Sequence, residues 1–160
     1  MPLFKVKSPK APGGEFIMRD ADAKYMWPFF QTMLAKLEAL VPNIDPAHRV
    51  LGGSSNGAHA TAGLLDQSEG EVARRFSAIL FAEGGGRLQQ YDRLKGKPFL
   101  MFSSNAKSRP RAQAICDAAK AAGAVATLLF VDVGQHAFPA AAYPGIREWL
   151  RGPAMGPAER

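Results

Sequence analysis

Cysteine and long apolar runs are scarce in this sequence, and both absences narrow the kinds of protein it can be. The single cysteine, Cys116, cannot form an intramolecular disulfide, which is typical of a reducing compartment. It falls in an alanine-rich helical stretch, where we expect a buried, inert thiol. No apolar stretch is long enough to span a bilayer, and residues 1–10 lack the apolar core of a signal peptide. We therefore expect a cytoplasmic protein that does not associate with a membrane.

Positive charge is in excess, but it is not arranged for nucleic acid. The net charge is +6, whereas aromatic residues make up only 9% of the chain. The lysines and arginines are scattered, and no stretch interleaves them with aromatic side chains as a base-stacking surface would. The three histidines, His48, His59 and His136, show no metal-ligand spacing. We predict no nucleic-acid partner, no metal and no cofactor.

Length and composition fit one domain with a hydrophobic core. The chain has 160 residues, of which 47% are hydrophobic, and this is enough for one core and too little for two. Prolines and a Gly-Gly pair interrupt residues 1–21, which we predict to form an irregular arm. We assign residues 22–151 to the domain and residues 152–160 to a flexible, Gly/Pro-rich tail.

Short apolar runs alternate with helical patterns along the domain. The predicted strands are 50–53, 76–82, 98–103 and 125–133. The predicted helices are 22–41, 57–65, 111–122 and 144–151, from apolar spacing and from helix-ending residues such as Gly123. Because the strands are apolar on both faces and separated by helices, they predict an α/β fold with a short, mostly parallel sheet of about four strands.

Residues 53–57 form a G-x-S-x-G pentapeptide centred on Ser55. In a turn of this kind a strand reverses into a helix within a few residues, which strains the central serine and exposes its hydroxyl above the sheet edge. The predicted strand 50–53 lies directly before the pentapeptide and a helix of small residues directly after it. This context favours a nucleophile turn over the alternative, a loop that is merely rich in glycine and serine.

With this serine turn and its flanking strand and helix, the chain resembles the α/β-hydrolase family, and most of all its small serine esterases and depolymerase-like hydrolases. The stretch 50–65 is similar to the family's fifth strand, serine turn and following helix. The other three predicted strands are similar to its sixth, seventh and eighth strands. The resemblance covers residues 22–151 and only the C-terminal part of the family fold. It implies a truncated three-layer sandwich that hydrolyses a small ester.

The resemblance implies roles for three residues. Ser55 would be the nucleophile, and the backbone N–H of Asn56 would contribute to the oxyanion hole. His136 follows the last strand and would be the general base. The alternative for His136 is a loop histidine without a catalytic role, and His59 is expected to pack or line the site.

The acid that would complete a catalytic triad with Ser55 and His136 is the least determined of the three residues. The family places an aspartate after the seventh strand, but residues 103–109 contain no carboxylate. Glu83 follows the sixth strand and keeps the order of serine, acid and histidine. The alternatives are that Glu83 caps a loop or pairs with Arg87, and that Asp132 is the acid.

The missing N-terminal half of the family fold would leave strand 50–53 at the sheet edge, without the loop that donates the second oxyanion N–H. Three alternatives remain open: the N-terminal arm covers this edge, a second copy of the chain pairs with it, or the chain is one piece of a longer protein. Trp27, Phe29 and Phe30 are expected to be exposed at the same interface.

Two functions remain open. The first is a serine hydrolase acting on a carboxylic ester through an acyl-enzyme on Ser55. The second is a catalytically impaired hydrolase-like domain that serves binding or self-assembly.

Overall fold

The computed structural model describes residues 23–86 and 88–154, without the side chains of residues 23–25 and 46. The predicted arm over residues 1–21, the residue Arg87 and residues 155–160 of the predicted tail lie outside this description. The pairing of Glu83 with Arg87 and the covering of the sheet edge by the arm therefore stay predictions.

Four parallel strands form one sheet and lie in chain order: β1 (Val50–Ser54), β2 (Ala78–Ala82), β3 (Pro98–Ser103) and β4 (Val125–Phe130). The α-helices of the described residues are α1 (Ala23–Leu40), α2 (Asn56–Gln67), α3 (Glu71–Arg75), α4 (Arg109–Ala121) and α5 (Tyr143–Trp149). The predicted α/β class with a parallel sheet of about four strands is confirmed. No helix within residues 23–86 or 88–154 is long and apolar enough to cross a membrane.

The sheet lies between two helical layers because its side chains alternate between two apolar faces. Helices α1, α2 and α4 cover one face, where the rings of Phe81 and Phe99 meet edge-to-face with centroids 5.1 Å apart. Helix α5 covers the other face through Trp149, which packs with Leu100. Cys116 of α4 is buried in the first layer, and burial raises the pKa of its thiol, as expected for an inert cysteine.

Three features differ from the prediction by three residues or more, whereas the other element boundaries agree within two residues. Strand β4 ends at Phe130 rather than at residue 133, because its partner β3 ends at Ser103, which pairs with Phe130. Just beyond, the Asp132 carboxylate accepts a hydrogen bond from the Gly134 N–H in a turn. Helix α3 was not predicted, since five residues are too short for a periodic pattern. Residues 152–154 of the predicted tail lie in the π-helical turn Leu150–Ala154, which continues α5, and Ala154 is buried.

The expected exposure of three aromatic residues on α1 is wrong for two of them. Phe30 is buried, and its ring lies 6.3 Å from that of Phe76. Trp27 is half-buried against the same core, whereas Phe29 is 62% exposed. Phe30 lies four residues after Met26 on one helical face, and that face turns toward the sheet.

Strand β1 lies at one edge of the sheet. Among the described residues it pairs only with β2, in the register of Val50 with Ala78 and Ser54 with Ala82. Pairing of this edge with a second copy of the chain stays a prediction.

Candidate active site

Ser55 lies at the reversal between β1 and α2, in a backbone conformation that residues other than glycine rarely adopt. Its φ is 52° and its ψ is −117°, which is strained for a residue with a Cβ atom. The Ser55 N–H donates to the Ala82 carbonyl oxygen at 2.7 Å, and the Ser55 carbonyl accepts from the Ala58 N–H at 3.0 Å. The chain is thus tied to β2 on one side and to α2 on the other, with the serine between them.

Two glycines allow this reversal, and only one of them belongs to the pentapeptide. A Cβ atom on Gly53 would lie 2.1 Å from the carbonyl oxygen of Gly57, and one on Gly84 would lie 2.4 Å from that of Ser55. A Cβ atom on Gly57 would meet nothing within 4 Å. Close packing therefore requires Gly53, as the motif predicts, but not Gly57. The chain after β2 packs directly on the turn at Ser55.

Glu83 is the first residue after β2, and its carboxylate is enclosed. Its side chain is 2% exposed, and its φ of 54° is also positive. The Glu83 N–H donates to the Phe102 carbonyl oxygen at 3.0 Å, which extends the pairing of β2 with β3 by one residue. One carboxylate oxygen, Oε1, accepts a hydrogen bond from the Ser104 N–H.

The second oxygen of that carboxylate meets the predicted base. Glu83 Oε2 lies 3.1 Å from His136 Nδ1. Asp132, the alternative acid, instead accepts from the Gly134 N–H at 2.9 Å. Of the two carboxylates considered from the sequence, the structure thus brings Glu83 to His136 and leaves Asp132 to cap a turn.

Comparison of the chain with models of protein families, with curated proteins and with solved structures found no match. What the site can do therefore follows from its own geometry.

Ser104 is a residue of this site that sequence reasoning missed. Its hydroxyl donates to the Gln135 carbonyl oxygen at 2.8 Å and accepts from the Ala137 N–H at 3.1 Å, so it holds the backbone on both sides of His136. Ser104 is fully buried. A polar residue directly after a buried parallel strand was the available signal, because that edge of the sheet is where ligands bind.

The contact with Glu83 orients the imidazole of His136. A carboxylate accepts from a ring N–H, so Glu83 fixes the proton on Nδ1 and leaves the lone pair on Nε2. The His136 side chain is 56% exposed to solvent. Among the described residues, no hydrogen bond joins the Ser55 hydroxyl to His136.

The remaining predicted residues lie around this pair. Asn56 is the first residue of α2, directly after Ser55, which is the place from which an oxyanion N–H would be donated. His59 lies one turn into α2 and lines the same cavity as Glu83 and His136. That cavity has a volume of about 220 Å³.

Proposed function

We propose that this protein is a serine hydrolase of the α/β-hydrolase kind, which cleaves a carboxylic ester through an acyl-enzyme on Ser55. The observation that carries the proposal is the hydrogen bond between His136 and the enclosed carboxylate of Glu83, next to a serine on a strained turn. Strained residues and oriented histidines are concentrated at catalytic sites.

The proposed first step is attack of the Ser55 hydroxyl on the ester carbonyl, while His136 Nε2 takes the hydroxyl proton. The Asn56 N–H stabilises the oxyanion of the tetrahedral intermediate. His136 returns the proton to the leaving alcohol, and Glu83 stays ionised and stabilises the imidazolium. A water then attacks the acyl-enzyme with His136 again as the base, which releases the acid and restores Ser55.

The absence of a hydrogen bond between Ser55 and His136 among the described residues does not oppose this cycle. Catalytic hydrogen bonds are often long or misaligned without substrate and form in the complex. In the proposed cycle the exposed His136 ring forms its hydrogen bond with the Ser55 hydroxyl when an ester occupies the cavity.

Labelling with a fluorescent fluorophosphonate tests the proposal, since this probe reacts with an activated serine. Wild-type protein is expected to label, and Ser55→Ala and His136→Ala are expected not to label. Ser54→Ala is the matched control, because Ser54 is the neighbouring exposed serine at the end of β1 and should label like wild type.

The acid is tested by Glu83→Gln beside Asp132→Asn. Glu83→Gln is expected to slow ester turnover by about 10³- to 10⁴-fold, because a glutamine no longer fixes the tautomer or stabilises the imidazolium. Asp132→Asn should turn over normally, since the asparagine oxygen still accepts from the Gly134 N–H. Absence of labelling in a folded wild-type protein would favour the second hypothesis, a domain for binding or self-assembly.

A further inference from the structure

The cavity beside the Glu83–His136 pair lies at the carboxyl edge of the sheet, where parallel α/β sheets bind their ligands. Gly84, which packs on the backbone of Ser55, also lines this cavity, so the cavity adjoins the serine turn. Its volume of about 220 Å³ lies below the roughly 300–1,000 Å³ typical of sites for drug-sized ligands. The ligand that fits is therefore small.

The charges around the cavity favour an anion. The Glu83 carboxylate is engaged by the Ser104 N–H and by His136. Arg111 of α4 also lines the cavity, and its guanidinium donates to the Gly86 carbonyl oxygen at 3.4 Å. Among the described residues, no carboxylate pairs with Arg111. A guanidinium without a carboxylate partner presents several free N–H donors in a planar fork, which matches a carboxylate.

Another part of the cavity wall is apolar. It can hold the uncharged part of an anionic ligand beside the proposed hydrolytic site. Met101 and Ile115 supply an apolar surface between the sheet and α4. A short hydrocarbon body can rest there while its charged end meets the guanidinium of Arg111.

We propose that Arg111 is a specificity residue, which binds a carboxylate on a small ester substrate and directs the ester group toward Ser55. This inference rests on the proposed function and names its substrate class: a half-ester or another ester that carries one free acid group.

A matched pair of esters tests it: 4-acetoxybenzoate, which is anionic, and its neutral methyl ester. The quantity measured is the ratio of the two kcat/KM values in wild-type protein, divided by the same ratio in Arg111→Gln. This quotient cancels the different intrinsic reactivities of the esters. Loss of a charge-assisted contact is expected to give a quotient of about 10 to 100.

Arg109→Gln is the matched control on the same helix. The Arg109 guanidinium lies 4.6 Å from the centre of the Phe130 ring and does not line the cavity. Its substitution removes the same charge two residues away and should leave the wild-type ratio unchanged. An equal fall in both variants would mean general electrostatic attraction and would overturn the assignment to Arg111.

Binding of 4-hydroxybenzoate to the Ser55→Ala protein separates this inference from the proposed function, because it needs no reaction. Saturable binding by calorimetry that weakens about 10-fold or more with Arg111→Gln supports the anion site, even if neither ester is hydrolysed and the hydrolase proposal fails. Ester hydrolysis with a quotient near 1 overturns the anion site and leaves the hydrolase proposal intact. Absence of both hydrolysis and binding overturns both.

Discussion

At the scale of single residues, Ser104 links the two partners of the candidate catalytic pair. Its N–H binds the Glu83 carboxylate, and its hydroxyl holds the backbone on either side of His136. The acid is positioned through the backbone of Ser104 and the base through its side chain. Replacement of the Ser104 side chain is therefore expected to change the position of the histidine and not that of the acid.

Ser104→Ala is expected to lower kcat about 10- to 100-fold with little change in KM, because the 135–137 backbone loses two part-buried hydrogen bonds while Glu83 keeps its N–H donor. Steady-state kinetics on a simple acetate ester measure the effect. Ser68→Ala is the control, since Ser68 is also buried and bonds a backbone N–H, that of Val72, far from the site. If both variants lose the same activity, Ser104 is a stability residue and not a positioning residue.

The candidate residues that sequence reasoning found were those with a local signature. Ser55 lies in a pentapeptide, and His136 and Glu83 follow apolar strands in chain order. Ser104 and Arg111 were not found. The contact of Ser104 with Gln135 and the place of Arg111 in the cavity wall arise only when the chain folds.

At the scale of elements, the turn from β1 to α2 depends on close approach at one glycine. Gly53 lies against the carbonyl group of Gly57, and no L side chain fits between them. The motif alone does not distinguish Gly53 from Gly57, whereas the structure leaves room for a side chain at Gly57 and none at Gly53.

Gly53→Ala is expected to lower the free energy of unfolding by about 1–3 kcal/mol or more, because its Cβ would overlap the Gly57 backbone. It should also abolish fluorophosphonate labelling by displacing Ser55. Gly57→Ala is the control: its Cβ has open space, and alanine favours the helix by about 1 kcal/mol. Urea unfolding of both variants measures the difference. Equal stability of the two would contradict the close approach.

The elements themselves were largely predictable, and the misses have local causes. The strands were found because each is a short apolar run between helical patterns. The end of β4 was misplaced, because Val131 and Val133 continue the apolar alternation of the strand on either side of Asp132. The strand ends where its partner β3 ends, at the pairing of Ser103 with Phe130, and that limit leaves the hydrophobic pattern unchanged.

At the scale of the whole molecule, the fold holds two candidate catalytic residues in unfavourable conformations. Ser55 and Glu83 both have positive φ, and each N–H pairs with a carbonyl of the neighbouring strand, Ala82 and Phe102 respectively. The parallel sheet fixes these positions because β2 pairs with β1 along all five of its residues and with β3 over Ile79–Ala82, and because side chains pack on both faces of the sheet. Unfolding releases the strain, so the strain lowers global stability.

Ser55→Gly compared with Ser55→Ala measures this strain. Both variants remove the hydroxyl and should lose labelling, but only glycine adopts a φ of 52° and a ψ of −117° without cost. Relief of about 1–3 kcal/mol of strain, less about 0.5–1 kcal/mol for the extra freedom of unfolded glycine, leaves Ser55→Gly about 1 kcal/mol more stable than Ser55→Ala. Urea unfolding monitored by circular dichroism gives both values. If Ser55→Ala is the more stable variant, the turn is relaxed, and backbone strain no longer supports a catalytic role for Ser55.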